Sequence, residues 1–260
     1  MDRHMSTERR LDEGLRIEDR DAVRVLALDR PDRRNALSHA LVDALHDEIV
    51  AAERDPAVRA VVLTGAEGAF SAGADLRGPA ADAGEVVRDH YNPLVRTMLG
   101  VETPMVAAVN GVAAGAAVSL ALACDLRVAA SETTFRLAFA KIGLVPDAGA
   151  TWLLPRIVGS GRAAEMALLG EPVDADTALA WGLVNRVEAT GPQAQQAAVE
   201  LAAGLGEIAG VTRRLLASAA TNDLTTQLDE EAVAQGKAQH GPQFAAARAA
   251  FAGRGRGAGR

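Results

Sequence analysis

Two stretches of small residues stand out because their backbone, rather than their side chains, could carry chemistry. FSAGAD occupies residues 70–75, NGVAAGAA occupies residues 110–117, and each follows a short strand-like run. Two unpaired N–H groups aimed at one point from such turns would stabilise an enolate or tetrahedral oxyanion developing on a thioester. Small side chains would also leave room for the thioester to approach. Tight packing alone is the alternative explanation of these residues.

The second stretch lies within a run that carries no charged side chain between Glu102 and Asp125. The run is about long enough to cross a bilayer. However, Asn110-Gly111 interrupts it with a dipeptide typical of turns, and much of the remainder is Ala or Gly, of which Ala is only weakly lipophilic. The pattern therefore predicts a strand at Met105–Val109, a glycine turn, and a buried helix over residues 116–124 whose N-terminal N–H groups face the turn.

The composition excludes several classes of protein. Hydrophobic residues make up 49% of the 260 residues, which is enough for a large core, and the net charge of −7 argues against a general nucleic-acid binder. Cys124 is the single cysteine and is expected to be inert core, so an internal disulfide framework is excluded. The polar N-terminus lacks the apolar segment of a secretory signal. These features predict a soluble cytoplasmic protein. No metal-ligand spacing links His39, His46, His90 and His240.

Strand-like and helix-like patterns alternate up to about residue 190, and only helical patterns follow, which predicts an α/β core with a helical C-terminal section. Ser38 and Asp174 are expected to cap helices, and another helix is expected to start at Asp147. The predicted organisation is a flexible N-terminus (1–14), an α/β core (15–190), a helical region (191–252) and a flexible Gly/Arg tail (253–260).

Five motifs in order between Val23 and Val187 resemble those of the enoyl-CoA hydratase/isomerase (crotonase) superfamily. The motifs are LDRPDRRNALS, LTGAEGAFSAGADL, VAAVNGVAAGAAVSLALACDLRVA, FAKIGLVPDAGATWLLPRIVG and ALLGEPVDADTALAWGLVNRV. The resemblance implies the crotonase fold, which is a ClpP-like spiral of ββα units followed by a helical trimerisation region. It also implies an acyl-CoA substrate and a homotrimer or a dimer of trimers.

The resemblance assigns an oxyanion hole for the thioester to the backbone N–H groups of Ala74 and Ala116. It also reveals a departure, because the family's hydratases hold a water molecule between two glutamates. The corresponding positions here are Ser119 and Phe139, and neither carries a carboxylate. Water addition would lose both its general base and its general acid, each typically contributing about 10² to 10⁴ in rate.

One carboxylate remains at a catalytic position of the family. Asp147 in LVPDAGATW matches the base of related isomerases, and the stretch is most similar to the phenylacetate-pathway ring-epoxide isomerase and Δ3,Δ2-enoyl-CoA isomerase branch. Phe139, Leu144 and Val145 are expected to dry the pocket and raise the pKa of Asp147. The alternative is that Asp147 only caps the helix beginning at Ala148.

The resemblance also suggests contacts with the CoA part of the substrate. Asp75 and Asp125 additionally match family positions that are expected to be structural. The candidate CoA-binding residues are Arg33, Arg34, Ala36, Ala72, Asp75, Phe251 and Arg254.

The expected function is isomerisation of a double bond or ring epoxide in an enoyl-CoA, an activity associated with fatty acid and other lipid metabolism. The reaction needs a single aspartate base and an oxyanion hole. It requires no metal and no cofactor other than the CoA of the substrate, and no nucleic-acid or membrane partner is expected. A hydratase and a catalytically inactive acyl-CoA-binding scaffold are the alternatives.

Overall fold

A computed structural model describes the backbone of residues 7–77 and 81–254, with side chains for 8–77 and 81–251. The chain divides after Leu205 into two compact units. The strands of the first unit are β1 (Thr7–Leu11), β2 (Leu15–Arg20), β3 (Val23–Leu28), β4 (Ala60–Gly65), β5 (Ala69–Ser71), β6 (Met105–Val109), β7 (Val112–Ala114), β8 (Leu126–Ala130), β9 (Thr134–Arg136), β10 (Val173–Asp174) and β11 (Arg186–Glu188). Its α-helices are α1 (His39–Arg54), α2 (Ala83–Val86), α3 (Asn92–Gly100), α4 (Ala116–Ala123), α5 (Ala150–Val158), α6 (Ser160–Leu169), α7 (Ala175–Ala180) and α8 (Gly191–Ala203).

The strands form two sheets. The larger sheet has the order β1-β2-β3-β4-β6-β8-β11, antiparallel from β1 to β3 and parallel from β3 to β11. The smaller sheet has the order β10-β9-β7-β5, in which β5, β7 and β9 are parallel and β10 is antiparallel to β9. This mixed architecture confirms the predicted α/β class.

A repeating unit explains why two sheets arise from one succession of strands. β4, β6 and β8 are neighbours in the larger sheet, and the strands that follow them, β5, β7 and β9, are neighbours in the smaller one. Helices follow each pair of strands. Each ββα unit thus adds one strand to both sheets, so the turns after β5 and β7 lie side by side at the edge where these parallel strands end.

Both faces of the larger sheet are covered, which is why β3, β4 and β6 are buried at every position rather than at alternate ones. On one face, Ala194, Ala198 and Ala202 of α8 pack on β3, β4, β6 and β8. The other face belongs to the main core, which includes α1, α3 and α4. Small alanines at a spacing of four allow α8 to lie close to the sheet.

The uncharged run adopts the predicted strand, turn and helix. Its strand is β6 and its helix is α4, every residue of which is buried. Asn110 stabilises the turn, because its side-chain amide donates to the Gly65 carbonyl at 2.8 Å and its oxygen accepts from the Gly65 N–H at 3.2 Å. A search of the described residues finds no helix long and apolar enough to span a membrane.

Two predicted boundaries need correction. Residues 1–14 were expected to be flexible, but β1 lies within them and pairs antiparallel with β2, while Arg9 forms an ion pair with Glu48 of α1. The core was expected to end at residue 190, but α8 belongs to the first unit because its alanine face completes the cover of the larger sheet. Of the predicted tail 253–260, residues 255–260 lie outside the described part of the chain.

The second unit contains helices α9 (Ala209–Ser218), α10 (Leu224–Ala238) and α11 (Pro242–Arg254). α9 packs against α10. The side chain of Gln227 donates to the Leu215 carbonyl at 3.0 Å, and Ser218 Oγ donates to Glu230 at 2.8 Å. The predicted helical C-terminal section is therefore present, while its role in trimerisation stays a prediction.

Candidate active site

A cavity of about 420 Å³ lies in the first unit where the turns after β5 and β7 meet two further segments. One is the helical stretch from Ala83 to Tyr91, and the other runs from Ala138 to Asp147. Ala74, Ala116, Phe139 and Asp147 all line this cavity. The fold thus brings together four residues that are far apart in the sequence.

The turn after β5 holds the Ala74 N–H apart from the neighbouring main chain. Leu37 forms an isolated parallel bridge with Ala74. Its two hydrogen bonds run from the Leu37 N–H to the Gly73 carbonyl at 2.8 Å and from the Asp75 N–H to the Leu37 carbonyl at 2.9 Å. The Ala74 N–H takes no part in this bridge, and it belongs to a residue on the cavity wall.

The turn after β7 leads directly into α4, whose first residue is Ala116. N–H groups in the first turn of a helix lack an intrahelical partner, and they carry the positive end of the helix dipole. The preceding Gly115 has φ +54° and no side chain that could cap them. The cavity therefore meets the positive end of a fully buried helix.

Gly73 allows the two turns to touch. A Cβ atom added at this residue would lie 2.5 Å from the Ala114 carbonyl oxygen and 3.6 Å from the Ala116 nitrogen. The φ of Gly73 is +88°, which side chains rarely adopt. The close approach brings the turn that carries Ala74 against the first residue of α4, Ala116, and both residues line the cavity.

Asp147 is half-buried, and its carboxyl group belongs to the cavity wall. Its Oδ1 atom is buried and has no hydrogen-bond partner. Burial raises the pKa of the Asp147 carboxyl to about 6, with only its own backbone N–H acting in the opposite direction. A carboxylate with such a pKa is a stronger base than an ordinary aspartate and is still mostly ionised at neutral pH.

The helix-cap alternative for Asp147 is wrong. α5 begins at Ala150 rather than at Asp147 or Ala148, its N-cap is Gly149 with φ +82°, and no side chain caps it. Ala148 also has a positive φ of +47°, so the chain turns sharply between the aspartate and the helix. The turn directs the Asp147 side chain away from the helix N-terminus and onto the cavity wall.

Ser119 and Phe139, which the family resemblance matches to the glutamates of hydratases, have different surroundings. Ser119 is fully buried in α4, and its Oγ–H donates to the main-chain carbonyl of Asp147 at 3.0 Å. Phe139 is buried and forms an apolar part of the cavity wall beside Gly115. One position thus holds the backbone of the remaining carboxylate, and the other makes the cavity drier.

One of the residues expected to dry the pocket lies elsewhere. Val145 is 79% exposed and is not part of the cavity wall, whereas Leu144 and Ile142 are. The apolar residues that share the cavity wall with Asp147 here are therefore Phe139, which is buried, and Leu144 and Ile142, which are 43% and 56% exposed.

Asp75, the other carboxylate on the described cavity wall, has a structural partner. Arg30 Nη2 donates to Asp75 Oδ2 at 2.9 Å, and Arg30 Nη1 donates to the Ala36 carbonyl at 2.6 Å. Burial alone would raise the pKa of Asp75, but the bonds from Arg30 and from the Arg77 N–H hold that pKa below its ordinary value. Asp75 is therefore an ionised structural group. Its partner Arg30 lies within the LDRPDRRNALS motif but was not among the predicted site residues. Asp125 is also structural, since it accepts from the Met105 N–H at 2.7 Å.

The CoA candidates are spread over several places. Ala72 lines the cavity and donates its N–H to the Arg34 carbonyl at 2.9 Å. Arg33 and Arg34 are exposed on the preceding turn, and Ala36 is buried beside them. Phe251 belongs to α11 of the second unit and is 72% exposed. The side chain of Arg254 lies outside the described residues.

Tyr91 is a cavity residue that the sequence analysis missed. Its hydroxyl group is buried and has no hydrogen-bond partner. Tyr91 ends a π-helical turn, Val87–Tyr91, in which the Asn92 N–H donates to the Val87 carbonyl. The sequence offered one indication, because Tyr91 is the single tyrosine of a chain in which aromatic residues make up 3%.

His39 and His90 lie near the same cavity but show no metal geometry. Their rings stack with centroids 4.7 Å apart, and His90 Nδ1 lies 2.8 Å from Asp43 Oδ1. Over the described ranges, no group of three or more His, Cys, Asp or Glu side chains could hold a metal ion. Cys124 is buried, with its thiol 3.6 Å from the Leu120 carbonyl oxygen.

Comparison with known proteins gives consistent results. The family described as Enoyl-CoA hydratase/isomerase matches residues 18–256. 1,2-Epoxyphenylacetyl-CoA isomerase of Escherichia coli is 43% identical over 219 residues, covering 80% of this chain and 84% of that protein. A probable enoyl-CoA hydratase of Rhodobacter capsulatus is 39% identical over 241 residues, covering 88% and 91%. The solved enoyl-CoA hydratase of Bacillus anthracis superposes with a TM-score of 0.85 at 30% identity, covering 93% and 96%.

Proposed function

The chain belongs to the enoyl-CoA hydratase/isomerase family, and we propose that it is an isomerase that moves the double bond of an enoyl-CoA or opens a ring epoxide in one. The observation that carries the proposal is Asp147. It is half-buried with one carboxyl oxygen that is buried and unpartnered, and it shares a cavity with Ala74 and Ala116. A single base beside an oxyanion hole is sufficient for proton transfer next to a thioester.

For a 3-enoyl-CoA, the thioester oxygen accepts hydrogen bonds from the Ala74 and Ala116 N–H groups. The Asp147 carboxylate removes a proton from C2, and the electron pair of that C–H bond moves into the thioester to form a dienolate. The two amides and the positive end of α4 stabilise the negative charge on its oxygen. The protonated Asp147 then returns the proton to C4, which leaves the double bond between C2 and C3.

Hydration is the second candidate, because relatives of this chain carry the name hydratase. A hydratase must hold and activate a water molecule and also protonate carbon, and the family uses two carboxylates for this purpose. Here Ser119 and Phe139 occupy those positions. Asp147 would have to perform both tasks from a wall that Phe139, Ile142 and Leu144 make apolar, so the surroundings favour the isomerase.

The ring-epoxide form of the substrate is supported by the Escherichia coli relative, whose name identifies it as a 1,2-epoxyphenylacetyl-CoA isomerase. The same oxyanion hole and base would serve: Asp147 would remove a proton from the carbon next to the thioester, the resulting enolate would form a carbon–carbon double bond as the epoxide C–O bond breaks, and the released alkoxide oxygen would take the proton back from Asp147. We further propose that Arg33, Arg34 and Ala72 bind CoA, and that the protein is a cytoplasmic homotrimer or dimer of trimers. The mechanism requires no metal and no redox cofactor.

Kinetics with 3-hexenoyl-CoA and crotonyl-CoA, measured side by side, test the proposal. We expect isomerisation of the 3-enoyl ester at a rate typical of enzymes, about 10 per second. We expect crotonyl-CoA hydration at least about 100-fold slower, because a carboxylate pair is absent. Fast hydration would instead identify a hydratase. Binding of both esters without turnover of either would identify an inactive acyl-CoA-binding protein.

A further inference from the structure

We propose that the Tyr91 hydroxyl is a specificity-determining donor that binds an oxygen atom on the acyl group of the substrate. The cavity would then favour oxygenated acyl-CoA esters over purely hydrocarbon ones. The inference rests on the proposed function in that it places the acyl group beside Asp147, and it concerns a residue that the isomerisation mechanism itself does not use.

The first observation is an unsatisfied hydroxyl. Tyr91 is 2% exposed, and its hydroxyl has no hydrogen-bond partner. A buried polar group without a partner costs stability, so native proteins contain few of them and those that occur call for an explanation. The Tyr91 hydroxyl oxygen and Asp147 Oδ1 are the two such side-chain atoms found among the described residues, and both belong to the same cavity.

The second observation is the backbone that carries Tyr91. The π-helical turn Val87–Tyr91 lies between α2 and α3, so Tyr91 is the last residue of a short segment with the wider π-helical hydrogen-bond pattern. Such turns are rare, and they are frequently found at functional sites. Val86 and Val87 line the cavity together with Tyr91. The turn thus places one phenol on an otherwise apolar wall.

The third observation is the charge environment of the hydroxyl. Burial raises the pKa of Tyr91, and the negative charges of Asp147 and Asp75 raise it further. Tyr91 is therefore a neutral donor throughout the pH range in which Asp147 acts as a base.

The chemistry of the cavity identifies the missing partner as an acceptor. The N–H groups of Ala74 and Ala116 are donors and are assigned to the thioester oxygen. A hydrocarbon acyl chain would leave the Tyr91 hydroxyl unpaired, whereas an ether, epoxide or carbonyl oxygen would accept a hydrogen bond from it. Sites built to hydrogen-bond a substrate discriminate strongly against analogues that lack the bonding group.

Binding of non-reactive saturated esters tests the inference without depending on turnover. Hexanoyl-CoA, 5-oxahexanoyl-CoA and 5-oxohexanoyl-CoA have nearly the same length, and the second and third carry an ether oxygen and a ketone oxygen at position 5, where neither is a leaving group for a base that acts at C2. We expect Tyr91→Phe to weaken binding of at least one oxygenated ester about 10-fold. We expect hexanoyl-CoA to bind the variant as well as or better than the wild type. Calorimetric titration of both proteins measures these changes.

Thr133→Val is the matched control. Its hydroxyl is also buried, but it already has partners, since Oγ1 donates to the Val109 carbonyl at 2.7 Å and accepts from the Ala130 N–H at 3.1 Å. The control is expected to lower the thermal midpoint and leave the preference for the ether oxygen unchanged. Tyr91→Phe is expected to change that preference without lowering the midpoint, because its hydroxyl bonds to no protein atom.

Equal weakening of all three esters by Tyr91→Phe would show that the phenol only shapes the wall, and no weakening would show that it binds nothing; either result overturns the inference. Failure of the proposed function is seen separately, as a wild type that does not isomerise 3-hexenoyl-CoA. The binding comparison decides the role of Tyr91 in either case.

Discussion

The two halves of the cavity are built from different parts of the polypeptide, one from main chain and the other from side chains. The turns after β5 and β7 contribute main-chain N–H groups, and their positions follow from the ββα repeat and from the contact at Gly73. The opposite half contributes the side chains of Tyr91 and Asp147 from irregular segments, a π-helical turn and the strained loop before α5. Under the proposed function, the first half binds the thioester oxygen, a group that every acyl-CoA shares, whereas the second half determines the reaction of the acyl part.

This division explains why one fold can serve several reactions. Main-chain donors cannot be changed by substituting a side chain unless the backbone moves, so the thioester chemistry persists. A single side chain in the other half can be replaced without disturbing the sheets. In keeping with this, the family resemblance places Ser119 and Phe139 at the positions of the hydratase glutamates, while the turns after β5 and β7 consist of small residues. Substitutions in the two halves should therefore have distinguishable consequences.

The largest effect on the side-chain half is expected from Asp147→Asn. The substitution keeps the size of the side chain but removes the proton acceptor, so the isomerase rate constant should fall by about 10² to 10⁴. Binding of a saturated acyl-CoA should change little, because the amides of Ala74 and Ala116 remain in place. Single-turnover kinetics and calorimetry measure the two quantities.

Asp174→Asn is the control for this variant. Asp174 caps α7 by accepting from the Thr177 N–H at 2.8 Å, and asparagine is an equally good cap. It lies outside the cavity wall, so its rate should equal that of the wild type. An Asp147→Asn enzyme that retains most of its isomerase rate would refute the assignment of the base.

Gly73→Ala tests the main-chain half. Its added methyl group would lie 2.5 Å from the Ala114 carbonyl oxygen, so the two turns must separate. The N–H groups of Ala74 and Ala116 could then no longer donate to the same oxygen atom. Loss of one oxyanion donor typically costs about 10² to 10³ in kcat. Unlike Asp147→Asn, this variant should also bind acyl-CoA esters more weakly. Steady-state kinetics and calorimetric titration measure both effects.

Gly182→Ala separates the clash from backbone strain. Gly182 also has a positive φ, +74°, but an added Cβ would meet no atom within 4 Å. Its substitution should lower stability through strain alone and leave kcat unchanged. The main-chain half would lose its assigned role if Gly73→Ala kept full activity and binding.

The pH dependence follows from the raised pKa of Asp147. The activity kcat/KM should rise with pH and level off above about pH 6, as the carboxyl becomes the ionised base. Stability should behave oppositely. Because the folded-state pKa lies above the unfolded value of about 3.8, the stabilising contribution is present below that value and is lost as pH rises through about 6.

Thermal denaturation of the wild type and Asp147→Asn between pH 4 and 8 checks this sign. The uncharged amide should give the variant the higher midpoint at pH 8, and the advantage should disappear near pH 4. An unchanged difference across the range would mean that Asp147 titrates as an ordinary exposed carboxyl group. The main-chain half contributes no titration in this range, so Gly73→Ala should retain the wild-type pH profile at a lower rate.

The same contrast describes what the sequence could predict. β4, β6 and α1 were predictable because continuous apolar runs, helical periodicity and the Ser38 cap are local signals, and Ser38 Oγ does accept from the Leu41 N–H at 3.3 Å. The smaller sheet was not predicted, because strands of two or three residues have no periodicity and exist only through pairing with distant partners. β1 was missed because its sequence, TERRL, is a charged edge strand.

The site shows the same division. The proximity of Ala74 and Ala116 was implied by the family resemblance, and a steric detail at Gly73 gives it a physical cause. The orientation of Asp147 depends on positive φ angles at Ala148 and Gly149. Alanine rarely adopts a positive φ, so the sequence does not predict this turn. Tyr91 lines the cavity from a π-helical turn, and the sequence around it contains no signal that distinguishes such a turn from an ordinary α-helix.

The smallest expected effect comes from Ser119→Ala, which reaches Asp147 only through the backbone. The Asp147 carbonyl accepts two hydrogen bonds, one from Ser119 Oγ and one from the Ala150 N–H, each at 3.0 Å. The second forms with the start of α5, so the serine is the link that ties the loop to α4 and thus to the helix that carries Ala116. Removing its hydroxyl frees the loop without changing the charge or the depth of the cavity.

We expect kcat to fall about threefold to tenfold and stability to fall by about 1 kcal/mol, with little change in KM. A comparable loss of stability from Thr133→Val should leave kcat unchanged, which separates positioning of Asp147 from general destabilisation. If both variants lose activity in proportion to stability, Ser119 has no specific role, and the loop before α5 holds Asp147 without it.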